Sequence, residues 1–231
     1  MVEGILIRKN LYQDRHIIGN ILLRNGKSTP VIFYGAQSSG KSKKSKILDL
    51  GCLYQIAAQP GKKYSQMIQT REWTPKWIHQ NIRLDFNRYS IMCFGLELIS
   101  KFTIEEEVKN LEIGISTKEF EGSFKVISNF LFQLDELETK SKLNFLLYFL
   151  GKVFIELGIF PETNLCQITG TPFNQSSLCT LRPDMGGFVL NEELEDNSLI
   201  QKEHDKLRIF FKEVSSTTWK QKAWDQLPAN K

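Results

Sequence analysis

The hydrophobic pattern of the chain changes its period at Thr74-Pro75. Before this point, short apolar segments are separated by turn residues such as Asn25-Gly26 and Pro60-Gly61, a pattern typical of β-strands. After it, apolar residues recur at three- and four-residue steps, which is the period of amphipathic helices. The change predicts an α+β protein whose strand-rich part precedes its helical part.

The strand-rich part is predicted to form a nucleic-acid-binding domain over residues 1–75. Its apolar segments are residues 4–7, 17–23, 30–34, 48–57 and 64–73. Five short strands in a segment of about this length suit a small OB-like barrel, and an SH3-like barrel fits almost as well.

The remainder is predicted to contain a helical domain over residues 76–160 and a loop-rich region over residues 161–231. The predicted helices cover residues 77–101, 127–137 and 143–157, and the last of them ends at Gly158. Beyond Pro161 a region rich in Gly, Pro, Ser and Thr extends to about Gly187. One further helix is predicted over residues 198–214.

The formal net charge of +4 is divided unevenly along the chain. Residues 1–80 hold thirteen Lys and Arg against four Asp and Glu, whereas residues 81–231 hold seventeen against twenty-two. This division predicts a polyanion-binding part joined to a part with another role. The alternative is an uneven solvated surface without a partner, since basic surfaces also favour solubility.

Nucleic acid is the predicted polyanion, because OB barrels hold single strands with a basic groove and aromatic stacking platforms. The predicted DNA-binding residues are Arg8, Arg24, Lys27, Lys41, Lys43, Lys44, Lys46, Lys62, Lys63 and Arg71. The candidate stacking residues are Tyr34, Tyr54, Tyr64 and Trp73, although each aromatic taken singly is more often a core residue. Lysine contacts phosphate without reading bases, so the binding is predicted to be sequence-blind and strongly salt-dependent.

A second function is suggested by residues 35–42, which read GAQSSGKS and match G-x-x-x-x-G-K-[ST] directly after an apolar segment. In a P-loop NTPase the glycines would permit the tight wrap around phosphates, Lys41 would reach the terminal phosphates and Ser42 would hold Mg²⁺. The segment NFLFQLDE, residues 129–136, could then supply Asp135 and Glu136 as the acidic partners. A P-loop NTPase is therefore the alternative function.

Three observations favour a basic loop over a nucleotide site. Four lysines within residues 41–46 make a poor start for the buried helix that follows a P-loop. The segment NFLFQLDE has helical spacing, which does not describe a buried parallel strand. Residues 75–160 offer almost only helices, whereas a P-loop domain needs further βα units. The favoured prediction is a flexible loop between two barrel strands, with its lysines facing phosphate.

The other residues predict no catalytic, cofactor or metal site. The four cysteines lack a CxxC, and His16, His79 and His204 lack metal-ligand spacing. Neither G-x-S-x-G nor H-E-x-x-H occurs. The sequence also lacks an apolar run of about 18 residues and a signal peptide. A cytoplasmic protein that is not an enzyme and does not span a membrane is therefore expected.

Several stretches spread over most of the chain resemble the RecO family of bacterial recombination mediators. EGILIR, followed by Tyr12 and Asp14, resembles the first two strands of that family, and Asn25-Gly26-Lys27 with Gly35-Ala36 resembles the passage before its DNA-contacting loop. LGIFPETNLC (157–166) and MGGFVL (185–190) resemble two later passages. The lysines of residues 41–46 then stand where the basic loop would be, although Tyr34 and Gln37 occupy positions where basic residues are usual.

The resemblance also bears on zinc, because many members of the family hold it with two CxxC pairs. Cys166 fills the first ligand position, but Thr169 stands at the second, and Leu190 and Glu193 stand near the other two. Cys179 alone cannot complete a four-ligand site. A degenerate zinc-binding-like region without metal is therefore expected within residues 161–231.

The resemblance implies a non-enzymatic mediator of DNA repair and homologous recombination. Such a protein would bind single- and double-stranded DNA, anneal complementary strands and help to load the RecA recombinase. Its implied partners are RecR and the C-terminal tail of single-strand-binding protein. Its implied location is the bacterial cytoplasm, in association with the nucleoid.

Overall fold

A computed structural model describes most of the chain in two compact units, Met1–Leu137 and Glu138–Lys231. The described residues are 1–37, 48–58, 67–105, 121–138, 142–174, 177–194, 204–221 and 224. None of the helices within these ranges is long and apolar enough to cross a bilayer. The domain boundaries expected after residues 75 and 160 stay predictions.

The N-terminal unit is built on a six-stranded sheet. Its strands are β1 (Val2–Tyr12), β2 (His16–Leu23), β3 (Ser28–Phe33), β4 (Leu53–Ile56), β5 (Ile68–Thr70) and β6 (Trp73–Trp77). Their order across the sheet is β5-β3-β2-β1-β4-β6. All neighbours are antiparallel except β3 and β5, which are parallel.

The two edge strands of this sheet follow one another in the sequence. β5 pairs with β3 at one edge and β6 pairs with β4 at the other, and only Arg71 and Glu72 separate them. One stretch of chain therefore bridges both edges, and the sheet curls into a half-barrel. The α+β class and the OB-like barrel are confirmed; the predicted fifth strand is divided into two at Arg71.

The inside of the half-barrel is filled by alternate residues of its strands. Phe33 and Trp73 meet edge to face in this core, with ring centroids 5.3 Å apart. Tyr54 is fully buried, and its hydroxyl accepts a hydrogen bond from the Asp49 backbone N–H at 2.7 Å. Tyr54 and Trp73 are thus core residues, which is the more usual role of a single aromatic, and neither is placed to stack on a base.

Among the described residues of the N-terminal unit, three α-helices follow the sheet: α1 (Gln80–Leu84), α2 (Phe86–Phe102) and α3 (Gly122–Glu136). The predicted helix over residues 77–101 is interrupted at Asp85, whose carboxylate accepts hydrogen bonds from the backbone N–H groups of Asn87 and Arg88 and so caps α2. Its predicted first residue, Trp77, belongs to β6 instead. The helical prediction for residues 129–136 is confirmed, because they lie in α3.

Replacing Gly51 by Ala is expected to destabilise the N-terminal unit by about 3 kcal/mol. Gly51 has a φ of +74°, and a Cβ there would lie 2.7 Å from the Met92 Sδ. Left-handed backbone costs a non-glycine residue about 1–2 kcal/mol, and overpacking adds about as much again. Gly35→Ala is the matched control, because Gly35 has a φ of +73° but open space around the new atom. If urea denaturation shows that Gly51→Ala and Gly35→Ala lose equal free energies of unfolding, the contact with Met92 does not contribute to the loss.

The C-terminal unit contains α4 (Lys142–Glu156), the hairpin β7 (Cys179–Arg182) and β8 (Gly187–Leu190), and α5 (His204–Ser216). The predicted end of α4 is confirmed, since Gly158 has a φ of +70° and the Ile159 N–H bonds the Phe154 carbonyl at 3.0 Å. The hairpin was not predicted, because its first strand lies in the Gly/Pro/Ser/Thr-rich region. Residues 198–203 of the last predicted helix lie outside the described residues.

Candidate nucleic-acid interface

Four side chains lie in one row across the outer face of the half-barrel, at the end where β3 and β5 finish. This end row consists of Tyr12, His16, Tyr34 and Arg71. Tyr12 pairs with His16 in the β1–β2 ladder. Ile17 pairs with Phe33, and Phe33 pairs with Thr70. One position closer to this end of the sheet, His16, Tyr34 and Arg71 are therefore aligned. Because Ile17 and Phe33 point into the core, the residues next to them point outward.

Side-chain contacts join three members of the end row, His16, Tyr34 and Arg71. The His16 and Tyr34 rings meet edge to face, with centroids 5.0 Å apart and planes at 78°. The Arg71 guanidinium carbon lies 6.0 Å from the centroid of the Tyr34 ring. The Tyr34 backbone N–H also donates to the Thr70 carbonyl at 2.9 Å, which fixes the strand positions that hold the row. Tyr34 and His16 remain half-buried and Arg71 is exposed.

The end row stands at the start of the segment that carries GAQSSGKS. The Gly35 N–H donates to the His16 Nδ1 at 3.0 Å, and the Gln37 N–H donates to the Arg15 carbonyl at 3.2 Å. The β1–β2 turn, which contains the exposed Arg15, is therefore hydrogen-bonded to the first residues after β3. Arg15 and His16 were not among the predicted site residues, because only the strand register brings them beside Tyr34.

Some basic residues of the N-terminal unit form ion pairs and hydrogen bonds within the unit. The Arg24 Nη2 lies 2.5 Å from the Glu3 Oε2, so this predicted DNA-binding residue is already neutralised. The Lys9 Nζ donates to the Leu48 carbonyl at 3.0 Å and lies 3.4 Å from Asp49. Burial lowers the pKa of the Lys9 ammonium. These two cations hold parts of the barrel together.

Other basic residues are directed to solvent. Arg8, Arg15 and Arg71 are exposed, and none of the ion pairs found among the described residues includes them. Lys27 is exposed in the β2–β3 turn, where its N–H donates to the Asn25 Oδ1 at 3.1 Å. That turn lies at the opposite end of β2 from the end row, about 20 Å away at the usual rise per residue.

The rest of the predicted site lies outside the described residues. It comprises Lys41, Lys43, Lys44, Lys46, Lys62, Lys63 and the candidate stacking residue Tyr64. Of GAQSSGKS, only residues 35–37 are described, and they directly follow β3.

A groove of about 300 Å³ runs between β1 and α2 beside Arg8. Its walls carry three cationic residues, Arg8, Lys9 and Lys101, and one acidic residue, Glu97. The groove is therefore net positive, and Arg8 and Lys101 are its cations besides Lys9, which already contacts Leu48 and Asp49.

The residues at the zinc-like positions do not fit a metal. The Leu190 backbone N–H donates to the Cys166 Sγ at 3.4 Å, and the Leu190 side chain packs against the apolar cluster that contains Cys166. Burial raises the pKa of the Cys166 thiol, but hydrogen bonds from Thr169 and from backbone N–H groups outweigh burial and lower it. Among the described residues, no group of three His, Cys, Asp or Glu side chains could hold a metal ion.

The end row offers planar faces and a cation, the two kinds of group that bind unpaired nucleotides. Neither the scan against protein-family models nor the search of the curated proteins finds a match for this chain.

Proposed function

We propose that this protein is a DNA-binding mediator of DNA repair and homologous recombination, which anneals complementary single strands and assists the loading of a recombinase. The observation that carries the proposal is the position of the end row. It lies on the β2–β3 face of an OB-like half-barrel, which is the face that binds oligonucleotides in such barrels. In the sequence, Tyr34 also lies seven residues before Lys41, the first of the four lysines in residues 41–46.

The charge distribution supports annealing without an enzymatic step. Two complementary strands repel each other, and a basic surface that neutralises both lowers this repulsion. Contacts to phosphate are sequence-blind, so the strands can slide until their bases are in register. The resemblance to the RecO family adds the proposed partners, RecR and the tail of single-strand-binding protein, together with RecA as the loaded recombinase and the bacterial cytoplasm as the location.

The P-loop NTPase is the second candidate, and the geometry around Asp135 weighs against it. The Asp135 Oδ1 accepts the Ile82 N–H at 2.9 Å, and its carbonyl accepts hydrogen bonds from the side chains of Asn81 and Arg88. Asp135 therefore links α3 to α1 and α2, rather than following a parallel strand toward a bound nucleotide. A third candidate, an adaptor with a basic surface, would bind no nucleic acid.

We expect the affinity for a labelled single strand to fall steeply between about 50 and 200 mM salt, because the binding rests on phosphate contacts. Fluorescence anisotropy measures it, with and without ATP and Mg²⁺. A steep salt dependence that is unchanged by nucleotide supports the mediator. Binding that requires ATP would favour the P-loop enzyme, and an absence of binding at the lower salt concentration would favour the adaptor.

A further inference from the structure

The Tyr34 ring and the Arg71 guanidinium are two planar groups that lie close together on the surface of the end row. The distance from the guanidinium carbon to the ring centroid is 6.0 Å. A base stacked between two such groups needs two stacking distances of about 3.4 Å, or about 6.8 Å in total. A small movement of the Arg71 side chain, which is exposed, would therefore admit one base.

The rest of the end row restricts how this space can open. The His16 and Tyr34 rings meet edge to face, and the His16 Nδ1 accepts a hydrogen bond from the Gly35 N–H at 3.0 Å. Tyr34 itself is anchored through its backbone to Thr70. The aromatic side of the space is thus preorganised, which reduces the entropy lost when a ligand is bound. Arg71 is the side that can move.

We propose that one unpaired base inserts between Tyr34 and Arg71, and that this insertion makes the protein favour single-stranded over double-stranded DNA. The inference rests on the proposed function and specifies which form of DNA the interface selects. A base in a duplex is already stacked and paired, and extruding it costs a few kcal/mol. A duplex therefore meets only the cations of the surface, whereas a single strand meets the cations and the slot.

Two other candidate stacking residues of the barrel cannot provide this selection. Tyr54 and Trp73 are 0% and 4% exposed and lie in the core. Tyr12 is at the open end of the same row, with 36% of its surface exposed, and could carry the next base along the strand. Every base has a planar face, so the slot adds affinity without adding sequence preference.

The test compares single-strand and duplex affinity in the full-length chain. Tyr34→Leu removes the ring, Tyr34→Phe keeps it, and Tyr89→Leu makes the same change at a partly exposed tyrosine on α2. The probes are a single strand of about 16 nucleotides that contains one 2-aminopurine, and the matching duplex. We expect Tyr34→Leu to weaken single-strand binding about 5- to 100-fold. Duplex binding should change less than about twofold.

Arg71→Lys gives a second reading at a surface position where folding is not at risk. Lysine keeps the charge but lacks the planar guanidinium. We expect single-strand affinity to fall while the dependence of log Kd on log salt keeps its slope, because the number of phosphate contacts is unchanged.

The outcomes separate this inference from the proposed function. Equal losses for single strand and duplex in Tyr34→Leu, or wild-type single-strand binding in both Tyr34→Leu and Arg71→Lys, overturn the base slot and leave DNA binding intact. A wild-type protein that binds neither probe overturns the proposed function itself. The slot is supported if Tyr34→Leu loses affinity for the single strand alone, while Tyr34→Phe and Tyr89→Leu bind both probes like the wild type. The change in 2-aminopurine fluorescence on binding should also be lost in Tyr34→Leu.

Discussion

A protein in which Arg15 and Arg71 are both replaced by Gln is expected to bind a single strand at least about 65-fold more weakly than the wild type at about 50 mM salt, and about 10-fold more weakly at about 200 mM. The estimate follows from counterion release. Each phosphate contact to a single strand contributes a slope of about 0.7 to the dependence of log affinity on log salt, so two lost contacts remove about 1.4. The effect must therefore shrink as salt rises.

The control for this prediction is Arg24→Gln. It also removes one cation from the N-terminal unit, but Arg24 is paired with Glu3 at 2.5 Å and lies near the far end of β2. A distance of about 20 Å exceeds the Debye length of about 8–10 Å near physiological salt. We expect less than a twofold change in affinity, measured by anisotropy in the same titration. If Arg24→Gln weakens binding as much as the double replacement of Arg15 and Arg71, the interface has been placed at the wrong end of the barrel.

The contrast between Arg24 and Arg71 shows where sequence reasoning stops. Both are isolated arginines beside apolar segments, and both were predicted to bind DNA. What separates them is Glu3, which is 21 positions from Arg24 along the chain and is brought beside it by the β1–β2 pairing. A charge balance for residues 1–80 cannot assign individual ion pairs, because strand register decides which side chains face each other.

The fold was easier to predict from the sequence than the site, because the period of the hydrophobic pattern distinguishes strands from helices. Short apolar runs bounded by turn residues located β2 and β3 within two residues of their ends, and Gly158 marked the end of α4. Trp77 was assigned to a helix because it begins an apolar repeat, yet its pairing with Leu53 places it in β6. The β7–β8 hairpin was missed because strands of four residues are too short to display alternation among turn-forming residues.

Replacing Trp224 by Ala is expected to lower the free energy of unfolding of the C-terminal unit by about 3–5 kcal/mol. Trp224 is 1% exposed and packs edge to face against Phe145 and Tyr148 of α4, with centroids 5.1 and 5.2 Å away. The Asn144 side chain also donates to its carbonyl at 3.3 Å. For a unit of this size, such a loss lowers the melting midpoint by at least about 10 °C.

Hydrogen–deuterium exchange read by mass spectrometry would localise the effect of Trp224→Ala. Peptides from α4 and α5 should lose protection, whereas peptides from β1 to β3 should keep it, because exchange reports the stability of each cooperative region. Trp219→Ala is the matched control. Trp219 belongs to the same aromatic group but is only half-buried, so its removal should cost less than half as much. Equal protection in wild type and Trp224→Ala would mean that Trp224 does not anchor the C-terminal segment to α4.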